Sequence, residues 1–362
     1  MSAACSVGQA GEDAVLEIIM DELGSASASA TAPVKMTLPP GDDAAILELP
    51  DDGAPARIVL TTDTMSQDQD FRLSWWSPED QGLPAGTAVG RKAVAQNLSD
   101  LNAMAATPIS LLVSLTLPAD TPLDWVRGFY RGLTQGLQTV GAEHCIVAGG
   151  DLGSGPGISV SITAVGRLGA ARAPLRRDGA RPGDQLTAAG PLGRAAAGLA
   201  LLEAGHGCAE EELAALREAQ LAPRPALTTG MIAVDAGATA GMDLSDGLLR
   251  DAGRLARASG VRVRIEDQAL RAQARALRPA AQALNLPETQ TLRWAAAGGE
   301  DYALLATFPA GAALPEGFHR IGEVIGPAQT GERAEDAGHA DGALEVILES
   351  AIDELGWDSM RD

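Results

Sequence analysis

The amino-acid sequence predicts an α/β protein with two domains. Its 362 residues are enough for two domains of ordinary size. Short β-rich runs alternate with longer amphipathic stretches, a pattern typical of strands packed against helices. The chain is 46% hydrophobic but only 3% aromatic, so Ala, Leu, Val and Ile must provide most of the packing.

The first half contains four predicted strands and several predicted helices. We expect an opening amphipathic helix over residues 12–23, followed by a small-residue loop. A helix that begins at Gly90 should be stopped by Pro108, because proline cannot continue a helix, and a further helix is expected over residues 123–140. The predicted strands cover residues 57–62, 109–118, 144–150 and 157–166, with a Gly-rich loop between the last two.

The composition changes after Gly166, where an Arg-, Gly- and Pro-rich segment follows. We place the domain boundary there, with domains at 1–167 and 168–362. In the second half, helices are predicted over 193–205 and 244–260, and strands over 261–266 and 301–309. Residues 331–343 are polar and Gly-rich, which favours an exposed hairpin tip or a mobile loop.

The charge of the chain excludes several classes of partner. The formal net charge is −21, and lysine occurs only at Lys35 and Lys92. Such a chain repels nucleic acid and anionic membrane, so we expect neither as a partner. A polyphosphate ligand would have to be neutralised by something other than lysine, and a divalent metal ion is the obvious candidate.

The N-terminal residues and the hydropathy favour a cytoplasmic protein. The N-terminal segment lacks the basic start of a signal peptide. No apolar run approaches the 18 residues of a membrane span. Three widely spaced cysteines indicate neither a disulfide framework nor a zinc site.

Several acidic residues occur where an apolar run ends. Any one of them could cap a helix or form a turn. Together they indicate a shared cation site, because unpaired acids near apolar segments are costly unless a cation compensates them. Oxygen ligands favour Mg²⁺ or a similar hard ion. These residues are Asp42, Asp43, Asp63, Asp100, Asp151, Asp243 and Asp246.

Basic residues are scarce around these acids. No base lies three or four residues from Asp100, and the nearest cation in sequence to Asp246 is Arg250. The stretches "NLSDLNAMA" (97–105) and "DLSDGLLRDA" (243–252) also resemble each other faintly, which suggests related α/β halves.

Two further segments each leave two interpretations open. The glycines of "VAGGDLGSGPG" (147–157) could let backbone N–H groups approach a phosphate, or could form an ordinary hairpin loop. "AGGEDYALL" (297–305) places Glu300 and Asp301 before a strand, either as a turn or facing a substrate. The nucleotide-binding P-loop and the protein-kinase motifs do not occur.

Eight motifs in a fixed order resemble the thiamine-monophosphate kinase family. This family belongs to the superfamily of aminoimidazole ribonucleotide synthetase, and the resemblance runs from Gly41 to Asp358. The motifs are "GDDAAIL", "TTDT", "GRKAVAQNLSDLNAMAATP", "GGD", "RRDGARPGD", "DLSDGLLRD", "GGEDYALL" and "GWDSM".

The resemblance implies direct transfer of the ATP γ-phosphate to thiamine monophosphate, which forms thiamine diphosphate. No phosphoenzyme is implied, and several Mg²⁺ ions assist. It also implies a homodimer formed through the N-terminal α/β domain, with a C-terminal α/β domain beside it. Mechanistically, Asp151 and Asp246 would act through Mg²⁺, and no covalent catalytic residue is expected.

The resemblance also assigns site residues by position. Metal-binding positions are Asp43, Thr61, Thr62, Asp63, Asp100, Asp151, Asp243 and Asp246. Nucleotide-contacting positions are Gly150, Asp151, Arg177 and Ser245. Substrate-contacting positions are Asp70, Glu300 and Trp357.

The chain departs from the family pattern at three places. Asp70 stands where the family usually has a histidine, and an acid there would repel a phosphate unless it were protonated or metal-bound. Residues 83–89 resemble an insertion before the helix, and Ser359–Met360 replace His–Phe.

Two other functions remain as alternatives to the kinase. The chain could be another ATP-dependent superfamily member, such as selenophosphate synthetase or a hydrogenase maturation factor, or a non-enzymatic divalent-ion-binding protein.

Overall fold

A computed structural model describes most of the chain. The described residues are 35–39, 41–49, 56–76, 82–169, 171–207, 210–327 and 346–348. The predicted opening helix, the polar segment 331–343 and Trp357 lie outside these residues.

A six-stranded sheet forms the first half. Its strands are β1 (Lys35–Leu38), β2 (Ala45–Leu49), β3 (Ala56–Ser66), β4 (Thr107–Leu117), β5 (Ile146–Ser154) and β6 (Ser159–Leu168). They are ordered β1-β2-β3-β6-β4-β5. All neighbouring pairs are antiparallel except β4 and β5, which are parallel. Alternate residues of the long strands are buried, so one face of this sheet covers the core.

Two helices, α1 (Ala85–Ala103) and α2 (Leu123–Thr139), pack closely in this half. Glycines permit the close approach: a Cβ on Gly90 would lie 2.2 Å from the Phe129 carbonyl oxygen. Most residues of α1 are buried. A helix buried on nearly all sides is expected in the centre of a fold, and α1 accordingly lies between the two halves of the chain.

A second six-stranded sheet forms the other half. Its strands are β7 (Gln185–Ala189), β8 (Ala240–Leu244), β9 (Val261–Ile265), β10 (Ala303–Phe308), β11 (Phe318–Pro327) and β12 (Val346–Leu348), ordered β12-β9-β11-β7-β10-β8. Its helices are α3 (Arg194–Glu203), α4 (Glu211–Leu221), α5 (Thr229–Asp235), α6 (Leu248–Ser259), α7 (Asp267–Ala274), α8 (Arg278–Ala283) and α9 (Thr289–Ala297). Short 3₁₀ helices cover Leu73–Trp75, Arg177–Gly179 and Arg275–Leu277.

These two sheets confirm the predicted α/β class. The first sheet ends at Leu168 and the second begins at Gln185. The exact boundary at residues 167 and 168 stays a prediction.

Contacts from α1 to α5 join the halves. The Asn102 amide donates to Thr229 Oγ1 at 2.9 Å, and its Oδ1 accepts the Gly230 N–H at 3.0 Å. A Cβ on Gly230 would lie 1.7 Å from the Asn102 carbonyl oxygen, so only glycine fits there. The C-terminal end of α1 is therefore held against the second half.

The predicted bounds of α1 were wrong. The helix begins at Ala85 and ends at Ala103, and Pro108 is the second residue of β4. A left-handed residue, Ala105 with φ +57°, turns the chain before the strand. Residues 85–89 form the first turns of α1, so most of the segment 83–89 belongs to the helix and does not precede it.

Two predicted elements around glycines were also wrong. Residues 147–154 belong to β5, and only residues 155–158 connect β5 to β6. The predicted helix over 244–260 begins at Leu248, because β8 continues to Leu244 and Gly247, at φ +108°, separates the two elements. Among the described helices, none combines the length and the apolar character needed to cross a bilayer.

Candidate functional site

Three buried or half-buried carboxylates meet where the two halves of the chain touch. One oxygen each of Asp43, Asp100 and Asp243 lies within 4.8 Å of the others. Asp43 precedes β2, Asp100 lies near the end of α1, and Asp243 lies at the end of β8. We call these three residues the acidic cluster.

Hydroxyl groups and one arginine hold the acidic cluster. Thr61 Oγ1 donates to Asp100 Oδ2 at 2.6 Å, and Ser99 Oγ donates to Asp243 Oδ2 at 2.8 Å. Arg177 Nη2 lies 2.5 Å from Asp43 Oδ1. Asp43 Oδ2 is buried and has no hydrogen-bond partner. A buried carboxylate oxygen without a donor fits a position that faces a cation.

Burial makes the ionised forms of these carboxyls costly. It raises the pKa of Asp43 to about 6, although Arg177 opposes the shift. It raises the pKa of Asp63, which shares a hydrogen bond with Asp100, to about 6 as well. For Asp100 and Asp243, burial and the neighbouring carboxylates raise the pKa well above its usual range. A divalent cation would stabilise all four charges together.

A cavity of about 470 Å³ adjoins the acidic cluster. Its lining includes the predicted nucleotide-contacting Ser245 and the predicted substrate-contacting Asp70 and Glu300. The complete lining is Asp63, Thr64, Ser66, Gln69, Asp70, Gln96, Asp100, Asp243, Ser245, Asp246, Arg254, Glu300 and Tyr302. The lining is strongly acidic and comes from both halves of the chain.

Asp246 differs from Asp100 and Asp243 because arginine side chains lie beside its carboxylate. Arg254 Nη1 lies 2.5 Å from Asp246 Oδ2, and Arg250 Nε lies 3.9 Å from the same oxygen. Arg250 is the nearest cation in sequence, but the closer partner in space is Arg254, eight residues after Asp246. Asp251 accepts the Asp246 N–H at 3.0 Å and fixes the loop before α6.

A second, smaller cavity of about 100 Å³ shares Gln69, Asp70, Ser245 and Glu300 with the first. Its remaining lining is Trp75, Ala196, Leu199, Gln220 and Gly299. An aromatic ring, aliphatic side chains and two acids thus surround one small space. Such a space suits a flat ring that carries positive charge.

Asp70, the residue that replaces the family histidine, is tied to its own turn. Its Oδ2 accepts the Ser66 N–H at 2.6 Å. Burial raises the pKa of Asp70, and the nearby Glu300 raises it further. The structure thereby places a carboxyl with a weakened tendency to ionise beside both cavities.

The two acids of "GGED" have different roles in the structure, whereas the sequence left a turn and a substrate-facing role open for both. Glu300 faces the cavities, whereas Asp301 is buried and accepts the N–H groups of Gly193 and Ala195 at the start of α3. One acid therefore lines the site and its neighbour fixes a helix.

Not every predicted site residue lies at the acidic cluster. Thr61, Asp63 and Arg177 contact it, as described above. Thr62 points to the opposite face of the sheet, where its Oγ1 donates to the Ile162 carbonyl at 3.0 Å. Its side chain therefore does not reach the cluster.

Gly150 and Asp151 also lie away from the cluster. They belong to the exposed edge strand β5, three strands from Asp63, a distance of about 14 Å at the usual strand spacing. A Cβ on Gly150 would lie 1.8 Å from the Val113 carbonyl oxygen. Close packing of β5 against β4 therefore explains why a glycine stands at this position.

Lys92 and Gln220 are functional candidates that sequence reasoning missed. Lys92 Nζ lies 2.6 Å from Glu300 Oε1, and Gln220 Nε2 donates to Glu300 Oε2 at 2.5 Å. A signal for Lys92 was present, since it is one of only two lysines and lies in an apolar helix. Nothing in the sequence distinguishes Gln220 from other helix-surface residues.

Comparisons with known proteins identify the family of the chain. Residues 41–168 match the family described as "AIR synthase related protein, N-terminal domain". The chain is 38% identical over 320 residues to the thiamine-monophosphate kinase of Corynebacterium glutamicum, covering 88% of this chain and 87% of that protein. It is 40% identical over 298 residues to the thiamine-monophosphate kinase of Mycobacterium tuberculosis, covering 82% of each.

The chain belongs to the thiamine-monophosphate kinase family. A solved structure, AaThiL complexed with AMPPCP and TMP, matches it with a TM-score of 0.76 and 27% identity, covering 99% of both chains. This likeness confirms the predicted two-domain architecture. Membership of the thiamine-monophosphate kinase family favours the predicted kinase over the selenophosphate-synthetase-like and non-enzymatic alternatives.

Proposed function

We propose that this chain transfers the γ-phosphoryl group of ATP to thiamine monophosphate and so forms thiamine diphosphate. Its family membership supports this, as does its likeness to a structure that holds AMPPCP and TMP. The observation that carries the proposal in this chain is the acidic cluster beside a cavity that also reaches Glu300.

Mg²⁺ is the proposed metal, and the residues present fit it. Asp43, Asp100 and Asp243 offer oxygen ligands within 4.8 Å of one another, and Asp43 Oδ2 lacks a donor. When bound there, Mg²⁺ would neutralise charge on the phosphates. We propose that Thr61, Asp63 and Asp246, which contact the acidic cluster or line the cavity beside it, complete the metal-binding set. Thr62 and Asp151, which were also predicted to bind metal, lie away from the cluster and are not part of this proposal.

The residues of the chain orient and bind the reactants. Thr61 and Ser99 fix the carboxylates of Asp100 and Asp243 by hydrogen bonds. The guanidinium of Arg177, beside Asp43, is proposed to contact the nucleotide together with Ser245, which lines the cavity. Gly150, also predicted to contact the nucleotide, lies away from this cavity on β5. The acceptor is a phosphate oxygen that is already ionised at neutral pH, so the chain needs no strong general base.

Glu300, Asp70 and Trp357 are proposed to contact the thiamine part. The first two line the small cavity beside Trp75, where carboxyl groups can compensate the positive charge of the thiazolium ring.

The direct test is an assay with purified protein, ATP, Mg²⁺ and thiamine monophosphate, with thiamine diphosphate measured by chromatography. We expect product only in the presence of divalent metal, with reversible loss of activity in EDTA. Thiamine without its phosphate serves as the control acceptor and should give no diphosphate. No product from thiamine monophosphate would refute the function, and full turnover in metal-free buffer would refute the metal requirement.

We further propose a homodimer formed through the first sheet. The edge strand β5 is exposed along its whole length, and Leu112, Ile146 and Leu152 are 45%, 60% and 70% exposed. An apolar edge of this kind favours pairing with another chain. Light scattering should give twice the 37.0 kDa of the monomer, whereas an active monomer would contradict the proposal.

A further inference from the structure

Lys92 is a buried cation that joins the two halves of the chain at the site. The residue is 1% exposed and lies on α1. Its Nζ lies 2.6 Å from Glu300 Oε1, in the second half, and donates to the Asp70 carbonyl oxygen at 2.8 Å. A buried ammonium group with two acceptors is fixed in one orientation.

The second oxygen of Glu300 has a donor of its own. Gln220, on α4, is 2% exposed, and its Nε2 donates to Glu300 Oε2 at 2.5 Å. Each carboxylate oxygen is thus held by a side chain from a different half of the molecule.

The backbone of Glu300 is also fixed. Its N–H donates to the Ser245 carbonyl at 2.7 Å, and its φ is +65°, a left-handed conformation that a non-glycine residue rarely adopts. Such conformations persist where the surrounding structure enforces them, often at functional sites. The Glu300 carboxylate therefore has little freedom to turn.

The fixed carboxylate still has capacity for a ligand. A carboxylate offers about four lone-pair positions, and Lys92 and Gln220 occupy one on each oxygen. The Glu300 side chain is 28% exposed and lines both the acidic cavity and the small cavity beside Trp75. A substrate N–H group or cationic ring in the small cavity would meet it.

We propose that Lys92 and Gln220 are positioning residues that orient the Glu300 carboxylate for binding the thiamine part of the substrate. This proposal rests on the proposed function. The two residues act through Glu300, so their loss should weaken binding of thiamine monophosphate and leave binding of ATP unchanged. A purely structural role would alter both substrates alike or neither.

The test measures KM for each substrate in Lys92→Met, Gln220→Met, Glu300→Gln and the double variant Lys92→Met with Glu300→Gln. Lys35→Met is the matched control, because it makes the same substitution at the other lysine, which is exposed on β1. We expect KM for thiamine monophosphate to rise about tenfold in Lys92→Met and in Gln220→Met. KM for ATP should stay within about twofold, and Lys35→Met should match the wild type.

The double variant separates positioning from support of the fold. If Lys92 acts through Glu300, adding Lys92→Met to Glu300→Gln should raise KM for thiamine monophosphate no further. Calorimetric titration with thiamine monophosphate should show the same non-additive loss of affinity. Should Lys92→Met fail to fold, Gln220→Met and its combination with Glu300→Gln provide the same comparison.

The outcomes separate this proposal from the function on which it rests. Fully additive effects, or equal increases in KM for both substrates, in a wild type that phosphorylates thiamine monophosphate would overturn the positioning role alone. A wild type that forms no thiamine diphosphate would overturn the function and the positioning role together.

Discussion

Two kinds of buried carboxylate lie side by side in this chain. In the acidic cluster, Asp100 and Asp243 are held by hydroxyl groups, and Arg177 pairs with one oxygen of Asp43 while the other oxygen has no donor. By contrast, Asp246 is paired with Arg254, and Asp301 accepts backbone N–H groups at the start of α3. The two kinds differ in how much of their charge the protein itself compensates.

This difference separates carboxylates that bind a ligand from those that hold the fold. A buried acid that is paired with a cation and neighbouring N–H donors, and that has no other acid close by, is stable without a ligand. Buried acids that mainly face one another need an external cation, which is what a metal site provides. The degree to which the protein itself compensates the charge of a carboxylate therefore indicates function better than burial does, because both kinds are buried.

The largest expected effect is at the acidic cluster. Asp243→Asn keeps the size of the side chain and can still accept the Ser99 hydroxyl, but it removes one charge. We expect turnover to fall about 10²–10³-fold, the usual loss for one electrostatic contact in a transition state. The melting temperature without metal should rise, because burial and repulsion by neighbouring carboxylates, which raise the pKa of Asp243, do not penalise a neutral side chain.

The matched control for this variant is Asp124→Asn, which removes an exposed carboxylate on α2 that pairs with Arg127. It should leave turnover and melting almost unchanged, because exposed ion pairs contribute little. Near-normal turnover of Asp243→Asn, with an unchanged Mg²⁺ requirement, would show that the acidic cluster is structural.

A smaller effect on turnover, with the opposite effect on melting, is expected at Asp246. Asp246→Asn also lowers turnover if this carboxylate contributes to the metal site, but by less than the roughly 10²-fold lower limit for a full electrostatic contact, because Arg254 and Arg250 already compensate part of its charge. It breaks the 2.5 Å ion pair with the largely buried Arg254, so the melting temperature without metal should fall. Kinetics and thermal melts of Asp243→Asn and Asp246→Asn in one buffer check both signs. Melting shifts of the same sign would remove the distinction drawn between the two kinds of carboxylate.

The smallest effect is expected at Asp301, where burial raises the pKa from its ordinary 3.8 to about 7. The folded chain then keeps a proton that the unfolded chain releases, so wild type loses stability as the pH rises through this range. Asn does not titrate, and Asp301→Asn leaves one N–H of α3 without its acceptor, at a cost of about 1–3 kcal/mol. The gap in melting temperature between wild type and variant should be larger at about pH 5 than at about pH 8. A gap that widens with pH would mean that Asp301 is ionised throughout.

Much of the fold was predictable from local patterns. The strand at β4 and the helix at α2 were predicted almost to the residue, because their hydrophobic periodicity is strong and a proline precedes α2. The start of α1 was missed because "LPAGTAV" contains Gly86 and Thr87, which lower helix propensity. Burial against α2 and the sheet overrides that preference.

The two stretches of similar sequence, 97–105 and 243–252, suggested related halves, but they form different elements of structure. "NLSD" lies on α1, whereas "DLSD" spans the end of β8 and a loop. They are not copies of one structural unit, yet Ser99 of the first donates to Asp243 of the second.

The sequence by itself determined the α/β class, the family and the identity of the acids that could bind metal, because these depend on residue type and order along the chain. The tertiary structure decided which acids meet. It brought Asp43, Asp100 and Asp243 together, gave Asp246 its partner Arg254, and placed Lys92 and Gln220 on the two oxygens of Glu300. These contacts join residues far apart in the chain, and their energies depend on distance and burial, which residue order does not specify.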